Sequence, residues 1–157
     1  MSRRSHDDSG AALIEFALVL PLLLLLVFGI VDFGRAINYW IDETHLANEA
    51  ARFAAVGRNP DDPGNFQDWI ASQAVTKELR EGSDSIDGGG LEVCLEFPNG
   101  PQVGEPLEVT VSATFNWMPF LNAETGLTST DITGSSTMRL EAREEDFEAG
   151  LAAGCST

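Results

Sequence analysis

The residue best placed to do specific chemistry in this chain is a carboxylate at the entrance of an apolar segment. Glu15 stands five positions after Gly10 and is followed by sixteen apolar, Gly or Pro residues, Phe16 to Val31. An ionised carboxylate in such a setting is costly unless a cation reaches it, so by default it marks a function. The chemistry it offers is pairing rather than bond-making. A chain cut after Gly10 would begin with the amine of Ala11, and the ammonium of one copy could match Glu15 of a neighbour. Such a buried pair would set the axial register of packed helices. Glycine at the cut suits close approach of an enzyme to the backbone.

The other reactive side chains offer less. Cys94 and Cys155 are the two cysteines, far apart and without a CxxC pattern, and His6 and His45 do not sit near them in sequence. A zinc site needs more ligands at metal spacing, whereas a disulfide is open to the pair in an oxidising compartment. Asp84 and Asp87 among glycines hint at a calcium loop, but their spacing is not that of an EF-hand. The chain contains no Ser-His-Asp order, phosphate loop or metal-binding helix motif. The reading is therefore a structural protein, not an enzyme, with no cofactor.

The element that must position Glu15 is a membrane helix. From Ala11 to Ile30 there are about 20 residues, about 30 Å as a helix, which matches a bilayer core. Arg3 and Arg4 precede the run, while Arg35 after it lies beside Asp32. The N-terminal excess of positive charge predicts a cytoplasmic N-terminus. Tyr39 and Trp40 then fall near the opposite interface, where amphipathic rings are favoured. A cleaved secretory signal would end in a small-x-small site, which Gly29 to Phe33 does not supply. A plain anchor explains the run but leaves Glu15 unexplained. Polar leader, Gly10, four small or apolar residues, Glu15 and a long apolar run is the layout of a prepilin processing site. Pro21 should bend the helix, which membrane helices tolerate, and Gly29 and Gly34 permit close helix approach.

Beyond the membrane the pattern predicts an acidic α+β head. Trp40, Ile41, His45, Leu46, Ala50, Phe53 and Ala54 keep a three-four spacing, so the helix should continue as an amphipathic stalk to Gly57. His45 reads as an interfacial side chain. Arg58-Asn59-Pro60 is a stop. Asn65 caps a second helix over Phe66 to Arg80, with Phe66, Trp69, Ile70, Ala74 and Val75 on one face. Glu81 to Gly90 reads as a polar, Gly-rich loop. Leu91, Val93, Leu95 and Phe97 alternate with polar residues, as do Leu107, Val109, Val111, Ala113 and Phe115, which predicts an antiparallel pair. Asp131 to Glu141 supplies a third strand, and Trp117 to Leu121 an apolar loop that either caps the core or touches another subunit. Cys94 lies on the polar face of its strand, where the C-terminal tail could bring Cys155 to it. That bridge would close a loop of about sixty residues and stabilise by about 4 kcal/mol.

Charge supports this division. The net charge is −16, and from Asp42 to Thr157 there are 21 Asp plus Glu against 6 Lys plus Arg. The acid keeps the head soluble, and the missing basic stripe excludes nucleic acid as a partner. The organisation read from the sequence is thus a cytoplasmic leader, 1–10, removed by cleavage; a transmembrane helix and stalk, 11–57; and an acidic extracytoplasmic α+β domain, 58–157.

The segment GAALIEFALVLPLLLLLVFGIVDFGRAINYW followed by HLANEAARFAAVGR resembles the TadE-like family, minor pilins or pseudopilins of the Tad (tight adherence, Flp pilus) system. Glu15-Phe16, the proline-containing apolar run, the exit at Asp32 to Ala36 and the stretch Asn48 to Val56 carry the resemblance, over roughly the first third of the chain. It implies a substrate of a prepilin peptidase, cut between Gly10 and Ala11, that enters the inner membrane and assembles with other pilin or pseudopilin subunits. The last two thirds match only in layout, ending near Met138 to Arg143. Ala11 replaces the aromatic first residue usual in classical type IV pilins, which favours the Tad class. TadE-like, TadF-like and TadG-like roles all fit the length. An unprocessed, membrane-anchored binding module is the competing reading.

Overall fold

The long apolar pattern forms one uninterrupted helix, α1, Asp8–Ala55, with Pro21 inside it. The computed structural model describes residues 8–117 and 129–156, the side chains of 8, 9 and 87–89 excepted. Residues 1–7 of the leader, with His6, lie outside that description, as does the expected apolar loop beyond Trp117. At 48 residues α1 is about 70 Å long. Its end is a Schellman cap: Gly57, at φ 69°, donates to the Ala54 carbonyl, and Arg58 N–H donates to the Phe53 carbonyl. Asn59 then fixes the turn, its amide donating to the carbonyls of Gly64 and Ala149.

The expected second helix is two. α2, Phe66–Ser72, starts where Asn65 accepts from Asp68 N–H at 3.1 Å. α3, Lys77–Glu81, follows after a break. The break has a specific cause. The Asp42 carboxylate on α1 accepts from Thr76 N–H at 2.8 Å and Val75 N–H at 3.4 Å, which draws these β-branched residues out of helical geometry. Val75 is therefore exposed, not on the buried face with Phe66, Ile70 and Ala74.

Among the described residues the sheet has four antiparallel strands in the order β3-β2-β1-β4. Strands β1, Ile86–Glu96, and β2, Pro106–Asn116, are longer than the alternating runs that foretold them, and β3 is Ser129–Arg139. The expected Gly-rich loop is thus half strand. A bulge between Asp87 and Glu92 accommodates it. Gly90, at φ 128°, lets the α3 backbone close in, since a Cβ there would lie 3.1 Å from the Leu79 carbonyl oxygen. The tail adds a strand, β4, Gly154–Cys155, beside β1.

The apolar faces of β1 and β2, with Val93, Leu95, Leu107, Val109, Val111 and Phe115, bury against α1, α2 and α3. The fold is the expected α+β head on a long helix, with its core at the outer half of α1. Side chains the size of Leu46 or Ile70 contribute roughly 1.5–3 kcal/mol each by leaving water.

Candidate assembly surface of the long helix

The inner half of α1 presents its apolar side chains outward. Leu13, Ile14, Leu18, Leu22, Leu25 and Ile30 are all more than half exposed. This segment is long and apolar enough to cross a membrane. Gly10, Ala11 and Glu15 lie near its start, exposed, and α1 is already helical at Asp8, so the helix runs through the Gly10–Ala11 bond. Glu15 forms no ion pair among the described residues. Steps of three and four place Glu15, Val19, Leu22, Leu26, Ile30 and Phe33 on one face. That face presents a carboxylate at one end of an apolar stripe, where a cation supplied by another chain would find a partner.

The outer half packs. Ala36, Tyr39, Glu43, Ala47, Ala50 and Ala54 face the sheet, while Trp40, Ile41 and His45 are exposed. The buried stripe is thus rotated from the expected one, which included those three. Tyr39 is no interfacial ring: it packs against Phe115, 5.6 Å between centroids, and burial raises its phenol pKa. Gly134 explains the rotation. It sits on β3 directly beneath α1, where a Cβ would fall 2.5 Å from the Glu43 carbonyl carbon and 2.7 Å from Thr44 Cα. Alanines on the helix and one glycine on the strand let the two backbones meet.

Glu43 is the group that sequence reasoning missed. Its side chain is wholly buried, and neither carboxylate oxygen has a hydrogen-bond partner among the described residues. Burial, with a smaller contribution from the Asp42 charge, raises its pKa to about 9, so the acid is neutral in the folded protein at pH 7. A signal existed, since Glu43 lies four residues from both Tyr39 and Ala47 and so shares their face. Gly134, a lone glycine within a strand, also signalled close backbone approach.

Of the remaining candidates, the structure brings Cys94 and Cys155 together. They are register partners on β1 and β4, joined as a disulfide, with Cα atoms 4.0 Å apart. The tail thus reaches Cys94 along the sheet edge. His45 is exposed and lies 4.0 Å from Glu49. Asp84 is exposed in the turn before β1, and the Asp87 side chain lies outside the described residues.

Fold and surface together define a class: a small α+β head built on the outer half of a helix whose inner half has the make-up of a membrane anchor. A family model described as TadE-like protein matches residues 10–52. The N-terminal third is thereby TadE-like, from the glycine of the candidate cut to the last turn of the stalk, and it points to a component associated with a Tad pilus. No curated protein and no solved structure matches the chain.

Proposed function

We propose that this chain is a minor pilin or pseudopilin-like assembly component of a Tad (Flp) pilus system, in the service of adhesion or secretion. It sits in the inner membrane with its N-terminus in the cytoplasm, drawn there by Arg3 and Arg4, and its acidic head outside. A prepilin peptidase cuts between Gly10 and Ala11. The freed helix then packs laterally with other pilin or pseudopilin subunits, and Glu15 fixes the register by meeting an N-terminal ammonium. The chain is a scaffold and carries out no catalysis.

The observation that carries this reading is the coincidence of three features at one place. The TadE-like match opens at Gly10, the exposed apolar part of α1 begins directly after it, and Glu15 follows at the fifth position beyond it. The disulfide lends support, since such bonds persist in oxidising compartments. Two free thiols in native protein would remove that support.

The test is the N-terminus of protein from its own host. Mass spectrometry should find a chain starting at Ala11. An intact Met1 or Ser2 in a host with a working prepilin peptidase would sink the proposal. It would favour an unprocessed, membrane-anchored binding module, a reading that the unbroken helix from Asp8 through Ala11 also suits.

A further inference from the structure

The free side of α1 remains apolar well past the point where the head begins. Asp32, Ala36 and Tyr39 are already buried, yet Phe33, Ile37, Trp40 and Ile41 are exposed, Trp40 by 52%. On that side the exposed apolar stripe runs from Leu13 to Ile41. Its 28 steps span about 42 Å, longer than the roughly 30 Å hydrocarbon core and close to the 40–45 Å of a bilayer with its headgroup layers. The stripe stops at Thr44, and Asn48 and Arg52 follow on the same side.

A second apolar projection stands at the same level on another side of the helix. Val75, 83% exposed, is held there because its N–H and that of Thr76 donate to Asp42, while Asn38 donates to the Thr76 hydroxyl at 3.5 Å. Asp42 and Trp40 are two residues apart, so their side chains leave the helix about 160° from one another. A neighbouring helix would cover one such stripe. A headgroup layer surrounds the helix and meets both. Arg35, half-exposed below Asp42 on the same side, lies 4.0 Å from Asp32, and its long side chain leaves the charged head open to lipid phosphate. Exposed Asp84 and Asp131, at the lower end of the sheet near Asn116 and Thr114, keep the contact shallow, within the headgroups.

We propose that Trp40, Ile41 and Val75 form an apolar collar that seats the head directly in the phospholipid headgroup layer on its side of the membrane. The helix then has no free stalk. This inference rests on the membrane-anchor reading, and its test separates the two.

Full-length protein would be placed at low density in vesicles of phosphatidylethanolamine and phosphatidylglycerol, with nitroxide quenchers at the headgroup or mid-chain. Four proteins, each with a single tryptophan, report depth. One keeps Trp40 and one keeps Trp69. The others carry Val75→Trp or Leu25→Trp in a background with all three native tryptophans changed to Phe. Trp69 packs on Phe53, about 20 Å further out than Trp40, and serves as the control. Headgroup nitroxide should quench Trp40 and the Val75→Trp reporter about threefold more than Trp69, while mid-chain nitroxide quenches the Leu25→Trp reporter. If the Leu25→Trp reporter is quenched but Trp40 and the Val75→Trp reporter behave like Trp69, the head stands clear of the lipid and the collar is wrong. Quenching of only one of the two collar reporters overturns it as well, and indicates one-sided cover by another subunit. An unquenched Leu25→Trp reporter removes the anchor, and the seat with it.

Discussion

The two halves of α1 are one helix by hydrogen bonding and two objects by surface. From Leu13 to Val31 nearly every side chain is exposed and apolar, whatever its angle around the axis. From Asp32 to Ala55 buried and exposed positions alternate with helical period, and the buried ones are mostly alanine. A helix apolar all round needs a surrounding apolar medium, whereas one apolar on a single stripe needs a partner of its own. The inner half is therefore specified by composition and tolerates exchange among large apolar residues. The outer half is specified by shape, because alanines and Gly134 set how near the backbones come. Both halves hold a carboxylate in apolar company, and the difference is instructive. Glu15 is exposed to whatever packs on the helix. Glu43 is sealed inside its own chain, where it stays protonated.

Five substitutions sharpen or break this contrast, each measured in the full-length chain in detergent by denaturant unfolding of the head. Leu46→Ala should lower stability by about 3 kcal/mol, because a wholly buried side chain leaves a cavity. Leu24→Ala, the matched change in the exposed half, should move it by less than about 0.5 kcal/mol. Equal effects would show that the halves are not distinct. Gly134→Val should cost about 2–3 kcal/mol, since its Cβ has no room against the α1 backbone. A neutral result would mean that the close approach does not hold.

Glu43→Gln tests the sealed carboxylate through pH. The folded-state pKa of Glu43 lies above its unfolded value, so its stabilising contribution is complete below about pH 4.5 and declines as pH rises towards about 9. The slope from this group approaches about 1.4 kcal/mol per pH unit in that window. Replacement by glutamine should remove this fall and leave the variant more stable than the parent at pH 8. Identical pH profiles would place Glu43 in contact with water or a cation. The smallest effect on the head belongs to Glu15→Ala, within about 0.5 kcal/mol, because no described residue of the head touches it. Its consequence should appear in assembly instead: membrane insertion intact, piliation impaired. Unchanged piliation would count against a register role.

The membrane half was legible because a bilayer asks for a length and a hydropathy, both of which are written residue by residue in Ala11 to Val31. The strands were legible for a similar reason, since alternation in Leu107 to Phe115 needs no knowledge of what covers them. Other features depended on distant partners. Phe66 to Arg80 carries one helical pattern, yet Asp42, more than twenty residues earlier, takes the N–H groups of Val75 and Thr76 and divides it. The phase of the stalk at Trp40, Ile41 and His45 is not legible in the sequence because alanine gives a weak hydropathy signal, although small side chains are what allow α1 to meet Gly134.

The sequence by itself determined that Glu15 opens an apolar helix of membrane length after Gly10, that an acidic α+β head follows, and which strand faces are apolar. These are local properties of composition and period. Only the tertiary structure decided that the head packs on α1 from Asp32 onward, that Cys155 arrives beside Cys94 as an edge strand, that Val75 turns outward at the level of Trp40, and that Glu43 is buried without a partner. Each of these depends on which backbones come close, and close approach is a property of pairs of residues far apart in the chain.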